Sequence, residues 1–336
     1  MPIITRTALP ADFDRVAEVT RAAFLAGPYG HVHATPQRQK FEMDVAARAA
    51  HGAVIVALDT DRLEGDPIVG ATSLLRAGTP HARLATDGEA EIRLLAVDPA
   101  AQGLGIGDAL VRASIDLARE WGAARAVLDT GSLNVQAQRL YLRAGFQRTQ
   151  AAVEDSAHVT SFTYSYDLLD ADSPLVRLAR ADEYGAIGQL IAAAYTADYE
   201  LPASYVNSLS QVEQRAREHE VWVVEDRLTG TLEASVATPR EGGFISDLGQ
   251  PGELDFRLLA VAPGARGKGY GALLTNHVIA LARQRGLDRV VMNSGDMMLG
   301  AHRLYEKLGF ARVPARDLVV MDGGQAIHIY TFALDV

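Results

Sequence analysis

Residues 91–148 read EIRLLAVDPAAQGLGIGDALVRASIDLAREWGAARAVLDTGSLNVQAQRLYLRAGFQR, and residues 255–312 read DFRLLAVAPGARGKGYGALLTNHVIALARQRGLDRVVMNSGDMMLGAHRLYEKLGFAR. The two stretches align without a gap at an offset of 164 positions, and 26 of the 58 positions are identical. A fainter similarity relates residues 6–24 to residues 177–195 at an offset of 171 positions. A repeat of about 165 residues is far longer than a solenoid unit, so we infer that a whole domain is duplicated.

The boundary between the two copies falls in a short segment. Residues 168–174 read LLDADSP and end at a proline, which is typical of a linker. We therefore predict one domain over residues 1–170 and a second over residues 171–336. A chain of 336 residues with 48% hydrophobic residues can fill two cores of this size.

Composition restricts the classes of function. The chain has no cysteine, which excludes a disulfide framework, a Cys-ligated zinc site and a thiol nucleophile. The formal net charge of −10 disfavours a nucleic-acid partner. The sequence has no apolar run of the roughly 18 residues that a membrane span needs, and residues 1–6 lack the features of a signal peptide. We expect a cytoplasmic protein without a nucleic-acid or membrane partner.

The hydrophobic pattern of each copy predicts an α/β fold with a mixed sheet. In the first copy, apolar residues have helical spacing over residues 11–24, 105–119 and 134–143. Strands are predicted at residues 53–58, 68–74, 91–97, 125–129 and 159–168. The second copy has matching strands at residues 221–224, 231–236, 256–261 and 326–334. This order of elements is typical of a central mixed β-sheet flanked by helices on both faces.

A glycine-rich loop follows the central strand of each copy, as QGLGIG at residues 102–107 and RGKGYG at residues 266–271. Such a loop lets backbone N–H groups approach an anion, and the helix start adds partial positive charge, so a pyrophosphate is the natural ligand. A Walker A loop is excluded because neither copy contains GxxxxGK[ST]. A dinucleotide loop fits poorly, because it opens a βαβ unit with GxGxxG, whereas GxGxG follows a later strand here. The remaining interpretation is a coenzyme A loop.

Both copies resemble the GNAT superfamily of acetyl-CoA-dependent N-acyltransferases. Besides the loop, the resemblance rests on a helix of the form A-x-x-L-Y-x-x-x-G-F. The motif residues are Ala137, Leu140, Tyr141, Gly145 and Phe146 in the first copy and Ala301, Leu304, Tyr305, Gly309 and Phe310 in the second. The resemblance covers nearly the whole chain. It implies two tandem GNAT domains, each with a central pair of strands that splay apart.

The resemblance also implies that acetyl-CoA or coenzyme A binds, with pantetheine along the first splayed strand and the pyrophosphate on the loop amides. The candidate cofactor-binding residues of the first copy are Leu95, Ala96, Val97, Gln102, Gly103, Leu104, Gly105, Ile106, Gly107 and Asn134. Those of the second copy are Leu259, Ala260, Val261, Arg266, Gly267, Lys268, Gly269, Tyr270 and Gly271. Met298 stands in the place of Asn134, whereas Arg266 and Lys268 add two charges to the second loop.

The candidate catalytic residues are Tyr141, Tyr305, Glu91 and Asp255. The two tyrosines match the family tyrosine whose hydroxyl approaches the thioester sulfur, and a phenol of pKa about 10 can donate a proton there. The two acids begin the central strands and match the carboxylate base of many family members.

The acids have other interpretations. Glu89 and Glu253 are near-equivalent alternatives, and all four acids also fit as solvated residues at the start of a strand. Period-two alternation would place Glu91 on the same side as Arg93, Leu95 and Val97.

A histidine pair, His31 and His33, lies in a loop over residues 27–36. No carboxylate or cysteine set nearby completes a metal site, so no metal is predicted. With Tyr29, these histidines fit either the acceptor pocket of the first copy or an exposed loop.

The sequence therefore predicts an acetyl-CoA-dependent N-acetyltransferase that moves an acetyl group to a primary amine of a small molecule by direct transfer. A protein or peptide amine is the alternative acceptor. A pseudoenzyme that senses acetyl-CoA, with one or both copies inactive, is the alternative of a different class. The acceptor, the length of the acyl group and the active copy stay open, since fold does not fix function. We expect a monomer or a weak homodimer.

Overall fold

The structure, a computed structural model, describes residues 3–32, 35–62, 66–149, 153–154, 160–169, 172–199, 201, 203–322 and 325–336. The chain divides into two units, Met1–Ala171 and Asp172–Val336, and each contains one copy of the repeat.

The first unit is an α/β unit built on one sheet. Its elements are β1 (Ile3–Thr7), α1 (Phe13–Ala26), α2 (Pro36–Met43), α3 (Val45–Ala50), β2 (Gly52–Asp59), β3 (Ile68–Arg76), β4 (Glu89–Val97), α4 (Ile106–Glu120), β5 (Arg125–Gly131), α5 (Val135–Ala144), β6 (Gln147–Arg148), β7 (Val153–Glu154) and β8 (Thr160–Asp167). The strand order is β1-β2-β3-β4-β5-β8-β6, and β7 pairs with β8. Only β4 and β5 pair in parallel among these described strands, so the sheet is mixed, as predicted.

Helices cover both faces of this sheet. Val54 and Val56 pack with residues of α1, whereas their neighbours Ile55 and Ala57 pack with residues of α4. Successive residues of a strand point to opposite faces, so a strand covered on both faces is apolar throughout. This explains why residues 53–57 of β2 and 68–75 of β3 are buried without alternation.

The second unit repeats the order of elements, with its sheet divided in two. Its elements are β9 (Leu175–Leu178), α6 (Tyr184–Thr196), α7 (Ala203–Leu209), α8 (Val212–Glu218), β10 (His219–Glu225), β11 (Leu232–Pro239), β12 (Glu253–Asp255), β13 (Arg257–Val261), α9 (Tyr270–Gln284), β14 (Arg289–Gly295), α10 (Leu299–Lys307), β15 (Ala311–Arg312), β16 (Leu318–Asp322) and β17 (Gln325–Asp335). The two sheets have the orders β13-β11-β10-β9 and β12-β14-β17-β15, and β16 pairs with β17. The central strand predicted over residues 256–261 is β13, which begins at Arg257, and Phe256 separates it from β12.

The helix boundaries follow the predicted signals. Gly105 is the N-cap of α4 and has a left-handed backbone with φ of 77°. Asn134 caps α5 by accepting a hydrogen bond from the N–H of Ala137 (3.3 Å), and Gly145 ends that helix with φ of 98°. Glycine adopts this conformation at little cost, which makes it a frequent helix terminator. Val159, the first residue of a predicted strand, lies outside the described residues.

Candidate functional site

The two central strands of the first unit diverge at the glycine-rich loop. β4 and β5 pair at Glu89 with Arg125, Ala90 with Ala126 and Glu91 with Val127, and there the pairing ends. β4 nevertheless continues to Val97 and β5 to Gly131. In these fully described strands, the edge of β4 beyond Glu91 thus has backbone groups available to another partner. The predicted splay is present in this unit.

The second unit has the same opening. β12 pairs in parallel with β14 over Glu253–Asp255, and the N–H of Phe256 adds a last bond to Val291 (3.3 Å). The chain then crosses to the other sheet, where β13 pairs with β11. The opening lies at the equivalent position of the repeat, so both copies can admit an extended ligand between their central strands.

A β-bulge shapes the central strand where the opening begins. Ser73 of β3 pairs with Arg93 of β4, and Ala71 of β3 pairs with Ala96 of β4. Two residues of β4, Leu94 and Leu95, therefore lie opposite the single residue Thr72 of β3. The extra residue reverses the alternation. The expectation that Glu91 and Arg93 share a side with Leu95 and Val97 is therefore wrong, and Leu95 and Val97 pack instead against the cluster that includes residues of α4.

Two glycines of each loop leave the backbone open to an anion. Gly103 and Gly105 have φ of 80° and 77°, and Gly267 and Gly269 have φ of 80° and 86°. A Cβ at any of these four positions would meet no atom within 4 Å, so the space beside the loop is free. Helical hydrogen bonding begins only at the N–H of Ala109, which donates to Gly105, so the first N–H groups of α4 point into this space. Both loops fit the pyrophosphate of a coenzyme A group.

The third glycine of each loop serves helix packing. A Cβ at Gly107 would lie 3.0 Å from Cδ2 of Leu140, and one at Gly271 would lie 3.1 Å from Cδ2 of Leu304. An alanine at either position would require the leucine side chain to shift by a few tenths of an ångström. The third glycine thus allows the start of α4 or α9 to lie close to the helix that carries Tyr141 or Tyr305.

The charged side chains of the second loop have protein partners. Arg266 donates to Asp198 (2.8 Å) and to the carbonyl of Ala194 (2.9 Å). Lys268 lies 3.4 Å from Glu233. These pairs are partly exposed, and such pairs contribute little to stability, so both cations can be released to a ligand at low cost.

Tyr141 and Tyr305 are buried in aromatic surroundings. Tyr141 lies 6.0 Å from the rings of Phe146 and Tyr164, and Tyr305 lies 5.7–6.3 Å from those of Phe256, Phe310 and Phe332. Burial raises the pKa of both phenols, and Asp129 raises that of Tyr141 further. Neither hydroxyl has a hydrogen-bond partner in the part of the chain that the structure describes. Each phenol therefore keeps its proton and can donate it to a ligand.

Glu91 is fully buried and holds the loop that precedes β4. Its Oε2 accepts hydrogen bonds from the N–H groups of Arg83 (2.6 Å), Leu84 (2.7 Å) and Ala85 (3.1 Å). Its Oε1 is also buried and has no hydrogen-bond partner among the described residues, with Nε of Arg93 at 3.5 Å. Oε2 thus anchors the loop, whereas Oε1 can still accept a hydrogen bond or a proton.

Asp255 anchors the equivalent loop of the second unit with both oxygens. Oδ1 accepts from the N–H of Ile245 (3.1 Å), and Oδ2 accepts from the N–H and the hydroxyl of Ser246 (both 2.8 Å). The alternatives Glu89 and Glu253 bind loop N–H groups too, those of Thr86 (2.9 Å) and Gln250 (3.2 Å). The acids at the start of the central strands are therefore not solvated.

The loop of the histidine pair is described in part. The hydroxyl of Tyr29 accepts a hydrogen bond from the N–H of Leu133 (2.8 Å), and its ring lies against Gly131, where a Cβ would meet it at 2.3 Å. Tyr29 thus packs on the end of β5, beside the splayed strands. His33 lies outside the described residues. The described residues contain no group of three or more His, Asp or Glu side chains that could hold a metal ion.

The sequence interpretation missed a pair of arginines in each unit. Arg93 and Arg257 occupy equivalent positions beside the bulge, and Arg48 and Arg215 lie in α3 and α8. The sequence did contain a signal for one arginine of each unit, because both copies have arginine at the position of Arg93 and Arg257. The sequence analysis used this identity only to align the two copies. His219, at the start of β10, was also missed, because the first copy has no histidine there.

The chain matches known proteins over both units. The model of the acetyltransferase (GNAT) family matches twice, over residues 16–146 and 185–310. The mycothiol acetyltransferase of Cellulomonas flavigena is 44% identical over 63 residues, which cover 19% of this chain and 18% of that protein. Glucosamine 6-phosphate N-acetyltransferase 1 of Oryza sativa subsp. japonica is 34% identical over 93 residues, which cover 28% and 53% of the two proteins.

Solved structures match half of the chain at a time. An acetyltransferase of the GNAT family from Staphylococcus aureus is 16% identical with a TM-score of 0.40, and the match covers 50% of this chain and 99% of that one. An acetyltransferase from Bacillus subtilis, solved in complex with CoA, is 18% identical with a TM-score of 0.35 and covers 49% and 99%. Across the described residues of this chain, no helix has the length and apolar character needed to cross a membrane.

Proposed function

Because the chain belongs to the acetyltransferase (GNAT) family, we propose that it is an acetyl-CoA-dependent N-acetyltransferase that moves an acetyl group to a primary amine of a small molecule. The observation that carries this proposal is the same opening in both units, where splayed central strands meet a glycine-rich loop and a buried tyrosine. The chain spans only about a fifth to a half of the two curated relatives named above, so their substrates are not transferred to it.

The residues that would hold the cofactor follow from this geometry. The amides of Gly103 and Gly105, or of Gly267 and Gly269, would bind the pyrophosphate. The free edges of β4 and β13, Leu95 to Val97 and Leu259 to Val261, would pair with the pantetheine amides. When bound, acetyl-CoA supplies an activated thioester, so that the new N–C bond forms as the C–S bond breaks.

The side chains of the first unit would manage the protons of this reaction. The hydroxyl of Tyr141 stays protonated, because burial raises its pKa, and as the acid of this site it would donate a hydrogen bond to the leaving thiolate. Oε1 of Glu91 is the carboxylate oxygen without a hydrogen-bond partner among the described residues, so it is the atom that would accept the proton of the amine, directly or through a water.

The second unit needs a different base. Both oxygens of Asp255 already accept hydrogen bonds, which makes Asp255 the weaker candidate. His219 lines a cavity that also includes Leu258 of the central strand. Burial lowers the pKa of His219, so its imidazole is neutral at neutral pH and can accept a proton. Tyr305, which burial likewise keeps protonated, would donate a hydrogen bond to the leaving group, in the role proposed for Tyr141 in the first unit.

The test measures release of free coenzyme A from acetyl-CoA across a panel of amines, with the wild type, Tyr141→Phe, Tyr305→Phe and the double variant. We expect at least one single variant to lose turnover by roughly a hundredfold or more while acetyl-CoA still binds. The variant that loses activity identifies the active unit. Binding of acetyl-CoA without turnover on any amine would instead support a sensing function.

A further inference from the structure

The second unit contains a cavity beside its central strand that the cofactor does not account for. It has a volume of about 260 Å³, just below the roughly 300–1,000 Å³ typical of pockets for drug-sized ligands, so it suits a small acceptor. Its walls come from α7, α8 and β13, and Leu258, the bulge residue at the opening of the strands, is among them. The cavity therefore adjoins the place where an acetyl group would be presented.

Two guanidinium groups line this cavity. Arg257 is exposed to it from β13, and Arg215 reaches it from α8. Arg215 donates to the carbonyl of Ser208 (3.1 Å) at the end of α7. Burial lowers the pKa of Arg215, and the positive charge of Arg257 lowers it further, so the two cations are close enough to repel each other.

Neither guanidinium has a carboxylate partner among the described residues. Other arginines of the same unit do have one: Arg177 pairs with Glu183 (2.5 Å), Arg285 with Glu220 (2.7 Å) and Arg316 with Glu253 (2.8 Å). Holding two like charges together without a counter-charge costs stability, and a protein that retains such a pair in a pocket commonly uses it for a ligand.

The cavity contains one carboxylate, and it does not neutralise the pair. The side chain of Glu218 is 69% exposed and lies 4.0 Å from Nε2 of His219, whose imidazole is neutral at neutral pH. The wall of the cavity therefore keeps an excess of positive charge.

The equivalent arginine of the first unit is already occupied. Arg93 donates to the carbonyl of His81 (2.8 Å), lies 3.5 Å from Oε1 of Glu91 and stacks 4.5 Å from the ring of Phe41. The same residue at the same position of the repeat is thus engaged in one unit and free in the other.

We propose that the second unit takes an acceptor whose primary amine is joined to an oxyanion group, a carboxylate or a phosphate, and that Arg257 and Arg215 bind this group. Guanidinium groups match the geometry of both anions and form strong charge-assisted hydrogen bonds. Anchoring the acidic end would leave the amine free to reach His219 and the opening at Leu258. This inference rests on the proposed function and names its substrate class.

The experiment compares matched acceptors in the full-length Tyr141→Phe chain, so that turnover reports on the second unit. The kcat/KM for β-alanine is compared with that for propylamine to test a carboxylate. The kcat/KM for phosphoethanolamine is compared with that for ethanolamine to test a phosphate. Each pair is measured with Arg257 intact and with Arg257→Gln. Arg283→Gln is the matched control, because Arg283 is exposed in the last turn of α9 and does not line the cavity.

We expect the acidic member of at least one pair to be preferred in kcat/KM by roughly ten- to a hundredfold, the value of one or two charge-assisted bonds. Arg257→Gln should abolish this preference by raising KM for the acidic member, and Arg283→Gln should keep it. Equal use of both members, or a preference that survives Arg257→Gln, would overturn the inference. A loss of acetyl-CoA affinity in Arg257→Gln without a change in preference would also overturn it.

A calorimetric arm separates this inference from the proposed function. The same four amines are titrated into the chain in the presence of coenzyme A. If none is acetylated but an acidic member binds, and Arg257→Gln abolishes the binding, the anion site stands and the acetyltransferase proposal for this unit fails. If neither acidic member binds or reacts, the anion site is wrong.

Discussion

Leu94 and Leu258 have the same left-handed backbone, with φ of 53° and 55°, at positions 164 residues apart. They are the two non-glycine residues with positive φ in the described part of the chain. Each lies at the bulge of its central strand, beside the opening of the sheet. A leucine with positive φ is strained by about 1–2 kcal/mol. Both copies have retained this strain, which indicates that the bulge is needed for the opening.

The strain at Leu94 predicts that glycine there gives a more stable protein than alanine, the reverse of the usual order in a strand. At Leu94, which has positive φ, we expect Leu94→Gly to be more stable to unfolding than Leu94→Ala by about 1 kcal/mol, because glycine removes the strain. At the neighbouring Leu95 the order should reverse, with Leu95→Ala the more stable. Urea denaturation of the four variants measures both differences. If Leu94→Ala is also more stable than Leu94→Gly, the backbone at Leu94 is not strained.

A glycine of the first loop and a glycine at the other end of the same helix should differ in their effect on acetyl-CoA affinity, although both have a left-handed backbone. Gly105 and Gly122 lie at opposite ends of α4, both have positive φ (77° and 71°), and a Cβ at either would meet no atom within 4 Å. Gly105→Ala and Gly122→Ala should therefore cost similar stability, about 1 kcal/mol each. Only Gly105→Ala should weaken acetyl-CoA binding at the first unit, by roughly tenfold.

Calorimetric titration of acetyl-CoA checks this prediction, and Gly269 and Gly286 form the equivalent pair in the second unit. Equal weakening by both members of a pair would mean that the loop amides do not bind the cofactor.

The contacts of Glu91 predict two separable effects of Glu91→Gln. The amide group would place an N–H₂ where the buried Oε1 has no hydrogen-bond partner among the described residues and faces Arg93, so we expect a loss of about 1–3 kcal/mol in unfolding free energy. If Oε1 is the base, kcat for release of coenzyme A should also fall by roughly a hundredfold or more. Asp87→Asn, an exposed carboxylate of the same loop, is the control and should change neither quantity.

A Glu91→Gln variant that loses stability but keeps the wild-type kcat would leave Glu91 as a loop anchor alone.

The sequence predicted the elements whose residues follow a strong period or a motif. The repeat, the splay, the two loops, the helix start at Gly105 and the helix end at Gly145 are all present, and Asn134, predicted as the first residue of a helix, is its N-cap. Helices α2 and α3 were missed, because α2, PQRQKFEM, buries none of its residues and so has no apolar period. Their caps were visible in the sequence: Thr35 accepts from the N–H of Arg38, and Asp44 accepts from that of Ala47.

The site was harder to predict than the fold, because its key contacts join distant residues. The triple hydrogen bond to Glu91 depends on where the chain of residues 83–85 turns, and no local pattern records it. The bulge at Leu94 inserts a residue without any glycine to signal it, which is why the alternation argument failed beyond Arg93. Arg257 of β13 lines a cavity together with residues of α7 and α8, and no local pattern of the sequence records that these distant segments meet.

His277 predicts how the stability of the second unit depends on pH. Its ring lies in α9, 4.2 Å from the ring of Trp222, and its Nε2 is buried without a hydrogen-bond partner among the described residues. Burial, with a smaller effect from Arg285, lowers the pKa of His277 to about 4. In the unfolded chain a histidine has a pKa of about 6.5, so between these values the unfolded state binds more protons than the folded state. Stability from this group is complete above about pH 6.5 and falls by about 1.4 kcal/mol per pH unit towards pH 4.

The measurement is urea unfolding from pH 7 to pH 4, followed by the fluorescence of Trp222 in a Trp121→Phe background, since the chain has two tryptophans. His277→Ala installs the residue that the first copy has at this position, Ala113, and removes the titrating ring. It should be less stable at pH 7, where packing against Trp222 is lost, yet its stability should decline less steeply below pH 6.5. His328→Ala, which removes an exposed histidine of β17, should keep the wild-type slope. Parallel slopes for the wild type and His277→Ala would show that His277 takes up its proton without unfolding the unit.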